Sequence, residues 1–321
     1  MITATLLLLF GLALVLAGAG VLVNGASSIA RKGGISEFVI GLTIIAIGTS
    51  APEMVVSLIA SIRGNADMAA GNIVGSNIFN TALILGLTAV ISPIVVTRSN
   101  LRRDFPLNMG VTLLLVLTGL KHTLTGIGFD GLCRIEGVVF LLLFGWYMYR
   151  SFKETPETFQ HDDTASAPMS WSRASVFVCG GMVALILGGR LFVSQAGQIA
   201  QMLGLSDKFI AVTVLALGTS LPELATSCVA AARGKSQMAL GNIIGSNVAN
   251  ILLILGSAAV IRPLHMEHIL IGDYAALMLC ALLLAGCAYR HPKGRINRMD
   301  GILLLTALCA YLIWLTATSV A

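Results

Sequence analysis

The chain has 321 residues, 56% of them hydrophobic and only 11% charged, with mean hydropathy +0.90 and a formal net charge of +5. Soluble domains carry roughly a quarter of their residues as charged ones, so this composition excludes an ordinary water-soluble fold. The basic residues lie scattered between apolar runs rather than gathered in a patch, and no nucleic-acid partner is expected.

In chain order, ten apolar runs approach the roughly 20 residues that a membrane-spanning helix needs. They lie near 3–23, 38–62, 68–96, 106–120, 129–149, 174–194, 208–232, 237–261, 268–289 and 299–318. The expected fold is therefore an all-α integral membrane protein with ten transmembrane helices. In the first run, Ala17-Gly18-Ala19 has the look of a cleavage site, but no basic region precedes it, so a true span is expected. The second run carries IAIGTSAPEM, Ile45 to Met54, in which a proline and a carboxylate interrupt an apolar helix. The third carries GNIVGSNIFN, Gly71 to Asn80. After the fifth run, a polar stretch with several acids and two prolines, residues 151–173, joins the halves and is too poor in apolar residues to fold alone.

The second half repeats the first. Gly48-Thr49-Ser50-x-Pro52-Glu53 returns 170 positions later as Gly218-Thr219-Ser220-x-Pro222-Glu223. Gly71-Asn72-Ile73-x-Gly75-Ser76-Asn77-x-x-Asn80 returns at the same offset as Gly241-Asn242-Ile243-x-Gly245-Ser246-Asn247-x-x-Asn250. The expected division is a five-helix repeat over 1–150 (motif region 41–93), the linker, and a second repeat over 174–321 (motif region 211–263). An odd number of spans per repeat inverts the second copy, an architecture that places a transporter's substrate at the repeat interface. An outside N-terminus leaves fourteen of the twenty Lys and Arg on the cytoplasmic side, as the positive-inside rule favours. Both termini are then expected outside and the linker in the cytoplasm. The six cysteines show no C-x-x-C pairing and read as small apolar residues.

A carboxylate midway along a span is costly and needs a reason. Pairing of Glu53 or Glu223 with a buried base lacks a candidate, because no Lys or Arg lies near the middle of any run. Pro52 removes a backbone donor and disturbs the carbonyl one turn earlier. Gly48, at that point, favours backbone freedom, so the helix is expected to open there. Freed carbonyls, the Thr49 and Ser50 hydroxyls and the Glu53 carboxylate would form one half of an oxygen cluster, with Thr49 and Glu53 sharing a face at i,i+4. Thr219, Ser220 and Glu223 supply the other half. Gly71, Gly75, Gly241 and Gly245 have the small-xxx-small spacing of close helix packing, and Asn72, Asn77, Asn242 and Asn247 could bond neighbouring helices. Ser76 with Asn80, and Ser246 with Asn250, stack two oxygen donors per helix face. An all-oxygen set without His or Cys favours hard cations, and two carboxylates match one calcium ion in charge.

These residues resemble the cation/calcium antiporter superfamily, specifically its prokaryotic sodium/calcium exchanger type. The paired GTSxPE and GNxxGSN blocks correspond to that family's alpha repeats. The resemblance implies that the second, third, seventh and eighth helices form the ion-binding core, while the first and sixth slide against it. It implies calcium on Glu53 and Glu223 with backbone oxygens at Thr49 and Thr219. It implies sodium on the hydroxyls of Ser50, Ser76, Ser220 and Ser246 with carbonyls at Ala46 and Ala216. Gly11, Gly18, Gly20, Gly180, Gly181, Gly188 and Gly189 would suit a smooth sliding contact. Asn80 and Asn250 leave the core with two ionisable groups and lean against potassium coupling.

The expected function is a non-enzymatic secondary antiporter of the plasma (inner) membrane, exchanging sodium for calcium by alternating access and normally extruding calcium. The ions are its substrates and the lipid bilayer its surroundings; neither a cofactor nor an obligatory protein partner is implied. A calcium/proton or other cation antiporter on the same glutamates is the alternative within this class. A cation channel lined by the glutamate pair is the alternative outside it.

Overall fold

The computed structural model describes residues 1–126, 128–153, 168–202, 216–266, 269–290 and 294–320, and the structural statements below concern those residues. Helix α1, Ile2–Gly33, runs 32 residues, about 48 Å at about 1.5 Å per residue. That exceeds the roughly 30 Å hydrocarbon core and overruns the expected 3–23. The helix continues past the apolar run because its polar lower part finds partners. Asn24 Oδ1 accepts from Arg233 at 2.8 Å, and Ser28 Oγ accepts from the Met169 backbone N–H at 2.6 Å. Arg31 and Lys32 complement the dipole in the last turn, and Gly34, at φ 63°, stops the helix in the left-handed region.

The second span is broken. Helix α2, Glu37–Thr49, and helix α3, Ala51–Ile62, are bent by 49°. Helix α4, Ala66–Ile91, follows the turn at Gly64 (φ 81°), with Asn65 capping its Met68 N–H at 3.0 Å. A π-helical turn at Asn100–Asp104 leads into α5, Phe105–Gly119, and the short α6, Lys121–Thr125, follows. Helix α7, Arg134–Lys153, ends the first half. In the second half come α8, Trp171–Met202, then α9, Ala216–Thr219, and α10, Leu221–Ala232. They are followed by α11, Ser236–Ile261, α12, Ile271–Arg290, and α13, Arg298–Val320.

Six of these helices (α1, α4, α8, α11, α12 and α13) are long and apolar enough to cross a bilayer, and the bent pair α2–α3 makes a seventh. The expected spans at 106–120 and 129–149 correspond to α5, which has 15 residues, and α7, which carries charge at both ends. Residues 208–215 of the expected 208–232 lie outside the described residues. Large apolar side chains such as Leu6, Phe10, Leu142, Val183, Leu279 and Ile313 are exposed, as a lipid-facing surface requires and water would penalise.

The all-helical expectation missed two small ladders. Strand β1, Ile94–Val95, pairs antiparallel with β4, Arg295–Ile296, and β2, Gly131–Leu132, pairs antiparallel with β3, Leu264–His265. Each ties a connection in one half to a connection in the other. Two-residue strands carry no alternation to read; the marker was glycine. A Cβ on Gly131 (φ 130°) would collide with the Leu264 carbonyl.

Helices α1 and α8 lie along one another through glycine. Gly11 meets Gly188 and Phe192, Gly18 meets Gly181, and Gly25 meets Ala174, with a would-be Cβ on Gly181 only 2.6 Å from Leu22 N. Small residues at regular spacing let the two backbones approach closely. Of the glycines expected here, Gly11, Gly18, Gly181 and Gly188 make the contact. Gly180 is exposed and Gly20 faces the Arg233 guanidinium, while Gly25 was not anticipated. The buried apolar side chains of α1 and α8 form their own cluster with parts of α2, α10 and α11, distinct from the larger core built around α4 and α11.

Candidate ion-binding site

Glu53 and Glu223 are buried, 1% and 2% exposed, and close enough to interact electrostatically. Neither has a basic partner among the described residues; the ion pairs found there are Arg103–Asp104, Lys121–Glu136 and Lys235–Glu37. Hydroxyls from the opposite repeat take the place of a base. Ser50 Oγ donates to Glu223 Oε1 at 2.9 Å, and Ser220 Oγ donates to Glu53 Oε1 at 3.2 Å. The Thr49 hydroxyl reaches the Ala46 carbonyl and, across the repeats, Asn242 Oδ1, each at 3.3 Å. The serine of each repeat thus dresses the other's glutamate, a crossing that spacing along one helix does not display.

The crossing follows from the helix break. The expected opening at Gly48 falls instead at Ser50, which has φ −79° and ψ 6° and ends α2, and Ser220 ends α9 at φ −86°, ψ 3°. Pro52 and Pro222 then stand in the first turns of α3 and α10, where a missing backbone donor costs nothing. Glu53 and Glu223 occupy the same first turns, near the positive end of each helix dipole. Gly48 lies inside α2, and a Cβ there would have to displace the thioether end of Met182 of α8. The Ala46 carbonyl accepts the Ser50 N–H at 3.0 Å and the Thr49 hydroxyl at 3.3 Å. Ala216 opens α9.

The GNxxGSN segments hold this arrangement from α4 and α11. Asn72 Nδ2 donates to the Glu53 carbonyl at 3.3 Å and to Ser57 Oγ at 3.0 Å. Asn242 Nδ2 donates to the Glu223 carbonyl at 3.5 Å and to Ser227 Oγ at 2.9 Å. The two first asparagines therefore fix the backbones that carry the glutamates. Ser57 and Ser227 were missed in the sequence, although they recur at the 170 offset one turn beyond each glutamate. Asn77 donates to the Asn247 carbonyl at 3.1 Å, Asn250 donates to Asn77 Oδ1 at 2.9 Å, and Asn247 donates to Thr81 at 2.9 Å, which clamps α4 to α11. Gly241 and Gly245 pack against the Phe38 and Leu42 carbonyls of α2, where a Cβ would collide. The equivalent neighbours of Gly71 and Gly75, residues 208 and 212, lie outside the described residues.

Ser76 and Ser246 are buried one turn before Asn80 and Asn250. Both helices widen into π-helical turns there, at Phe79–Ile84 and Ala249–Leu255, a distortion that accompanies functional sites and that no apolar pattern announced. Seven side-chain oxygens of α3, α4, α10 and α11 are buried without a hydrogen-bond partner among the described residues: Glu53 Oε2, Asn80 Oδ1, Glu223 Oε2, Thr226 Oγ1, Ser246 Oγ, Asn247 Oδ1 and Asn250 Oδ1. Acceptors left bare inside a protein are costly and rare. A set of buried oxygens that includes two carboxylates suits a desolvated hard cation. Among the described residues no group of three or more His, Cys, Asp or Glu is assembled, so a soft-metal cage is not what converges here.

Comparison with known proteins matches this chain to the family described as sodium/calcium exchanger protein, over residues 3–153 and 174–317. The CaxA protein of Alkalimonas amylolytica is 40% identical over 314 residues, covering 97% of this chain and 98% of CaxA. Sodium/calcium exchanger MaX1 of Methanosarcina acetivorans is 32% identical over 348 residues, covering 96% of this chain and 97% of MaX1. The solved structure of the sodium-calcium exchanger NCX_Mj, soaked with 10 mM Na+ and zero Ca2+, superposes with TM-score 0.82 at 36% identity, covering 98% of both chains. The match runs through both repeats, and on it the chain belongs to the sodium/calcium exchanger protein family.

Proposed function

We propose that the chain exchanges sodium for calcium across a membrane by alternating access, both ions using the oxygen cluster around Glu53 and Glu223. The observation that carries this reading is the crossed Ser–Glu pairing, with the second oxygen of each carboxylate buried and unpartnered. Calcium takes the two carboxylates with the backbone oxygens of Thr49 and Thr219. Sodium takes the hydroxyls of Ser50, Ser76, Ser220 and Ser246 with the carbonyls of Ala46 and Ala216, and Asn80 and Asn250 complete the lining. Two bare carboxylates in a low-dielectric interior cost several kcal/mol. One calcium, or several sodium ions, removes that cost, so only loaded states change access. That requirement couples the two fluxes.

Around the site, ten helices form two inverted five-helix repeats, 1–150 and 174–321, with linker 151–173 in the cytoplasm and both termini outside. Helices α1 and α8 move as a pair along their glycine seam, opening the site first to one side and then to the other. The membrane is the plasma membrane, and an inward sodium gradient drives calcium out.

The test is calcium uptake into proteoliposomes loaded with sodium, against potassium- and choline-loaded controls, with Glu53→Gln and Glu223→Gln alongside. Uptake should require internal sodium and vanish in both variants. Uptake driven by a proton gradient without sodium would reassign the site to calcium/proton antiport, and unitary currents in a planar bilayer would make it a channel.

A further inference from the structure

The offset of 170 that relates the motif blocks also carries α1 onto α8: Gly11, Gly18, Val23, Ala26 and Ala30 fall on Gly181, Gly188, Val193, Ala196 and Ala200. Interchanging the halves turns the Gly11–Gly188 contact into the Gly18–Gly181 contact, and both are made. The seam between α1 and α8 is therefore its own counterpart. The contacts of this helix pair with the rest of the protein are not. Met182 stands nearest to Gly48 and Val193 nearest to Gly218, both on α8. Interchange would instead set Leu12 against Gly218 and Val23 against Gly48, both on α1.

The same asymmetry appears at two turns. Arg233, between α10 and α11, donates from Nη1 to the Gly20 carbonyl at 2.7 Å and to Asn24 Oδ1 at 2.8 Å, which fastens the helix pair there. The residues related to these by 170 are Arg63, in the turn between α3 and α4, and Arg190 and Ser194 of α8. A guanidinium, a backbone carbonyl and a side-chain oxygen are thus supplied a second time, on three exposed residues. Here the bonds are not made: Arg63 lines a cavity of about 470 Å3 with Asn65, Asp67 and Arg262. The second set also differs from the first in one respect. Gly20 leaves room for Arg233, whose Nη2 lies 2.7 Å from where a Cβ would stand, whereas Arg190 brings a long side chain of like charge.

We propose that Arg63 is the opposing latch of the transport cycle. In the access state opposite to the one in this structure, the Arg233 bonds are broken and the Arg63 guanidinium donates to the Arg190 carbonyl and Ser194 Oγ. This rests on the proposed movement of α1 and α8 as a pair, and on the inverted repeats that set the two turns at opposite faces of the membrane. The bulk and charge of Arg190 weaken the second latch, so the state in this structure is the resting one. Two latches of unequal strength set the population of each state, and with it the apparent ion affinity from each side.

Cysteine pairs test the two latches separately. In protein without its six native cysteines, Asn24→Cys with Arg233→Cys, or Arg63→Cys with Ser194→Cys, is treated during transport with a bifunctional methanethiosulfonate about as long as an arginine side chain. Each pair should cross-link, and each link should stop calcium flux until it is reduced. Adding Arg233→Gln to the Arg63/Ser194 pair should raise its yield about threefold or more. In protein with its native cysteines, Arg63→Gln should shift the ratio of calcium half-saturations at the two membrane faces by about threefold or more. Arg190→Ala should shift that ratio the opposite way, and should do nothing once Arg63→Gln is present. An Asn24/Arg233 link that stops flux, beside an Arg63/Ser194 pair that never links, overturns the latch and leaves the paired movement standing. An Asn24/Arg233 link that leaves flux running overturns both. A half-saturation ratio unmoved by Arg63→Gln also overturns the latch.

Discussion

Replacing Ser50 with alanine should shift the site's preference from sodium toward calcium. The Ser50 proton points at Glu223 Oε1, 2.9 Å away, which leaves the hydroxyl lone pairs for a monovalent cation. Removing that oxygen deletes one neutral ligand and one charge-assisted hydrogen bond, interactions worth about 1.5–3 kcal/mol when a charge is involved. The sodium half-saturation should therefore rise roughly tenfold to a hundredfold. On the proposed assignment calcium rests on the carboxylates, and its half-saturation should stay within about twofold, a change of less than about 0.5 kcal/mol. Ser220→Ala should act in the same direction at the lower end of that range, because its bond to Glu53 is 3.2 Å and hydroxyl bonds beyond about 3.0 Å are weak. Sodium-dependent calcium flux in proteoliposomes, titrated with each ion separately, measures both quantities. An unchanged sodium-to-calcium ratio in Ser50→Ala, or a shift toward sodium, would refute the crossed-hydroxyl account.

Other outcomes follow from the packing. Gly241→Ala forces a methyl group into the Phe38 carbonyl, and backbone cannot move aside cheaply, so thermal stability in detergent should fall by about 1–3 kcal/mol. Gly180→Ala, on the exposed face of α8, should be neutral or gain up to about 1 kcal/mol from helix propensity; equal losses in the two variants would contradict the glycine assignments. Arg233 reaches from the α10–α11 turn to the Gly20 carbonyl at 2.7 Å and to Asn24 at 2.8 Å on α1, so displacement of α1 must break both bonds. Arg233→Gln should raise the exchange rate severalfold, and an unchanged rate would show that α1 does not move there. Asn72→Ala should lower both ion affinities together, since Asn72 holds the Glu53 backbone and lies outside the proposed ligand set; a loss confined to one ion would instead make it a ligand.

Much of this protein is dictated by its sequence. An 11% charged chain cannot clothe a soluble surface, which decides membrane residence without any contact being known. Two blocks recurring at one offset name the glutamates, serines and asparagines that converge, because duplication sets them apart from the surrounding leucines. Local rules also located the helix break within two residues, from Gly48 to Ser50. They stop at the edge of a helix, however. Which repeat's hydroxyl serves which carboxylate depends on how α2–α3 and α9–α10 are rotated about one another, and it is Ser50 of one repeat that meets Glu223 of the other. The role of Gly48 likewise depends on Met182, more than a hundred positions away. The paired asparagines looked alike, yet Asn72 fixes a glutamate backbone while Asn77 clamps two helices. Composition and repetition decide which residues matter here, because solvation cost and duplication are properties of the chain. Only tertiary packing decides what each one touches, because partners from the two halves meet through space and carry no spacing that a sequence could display.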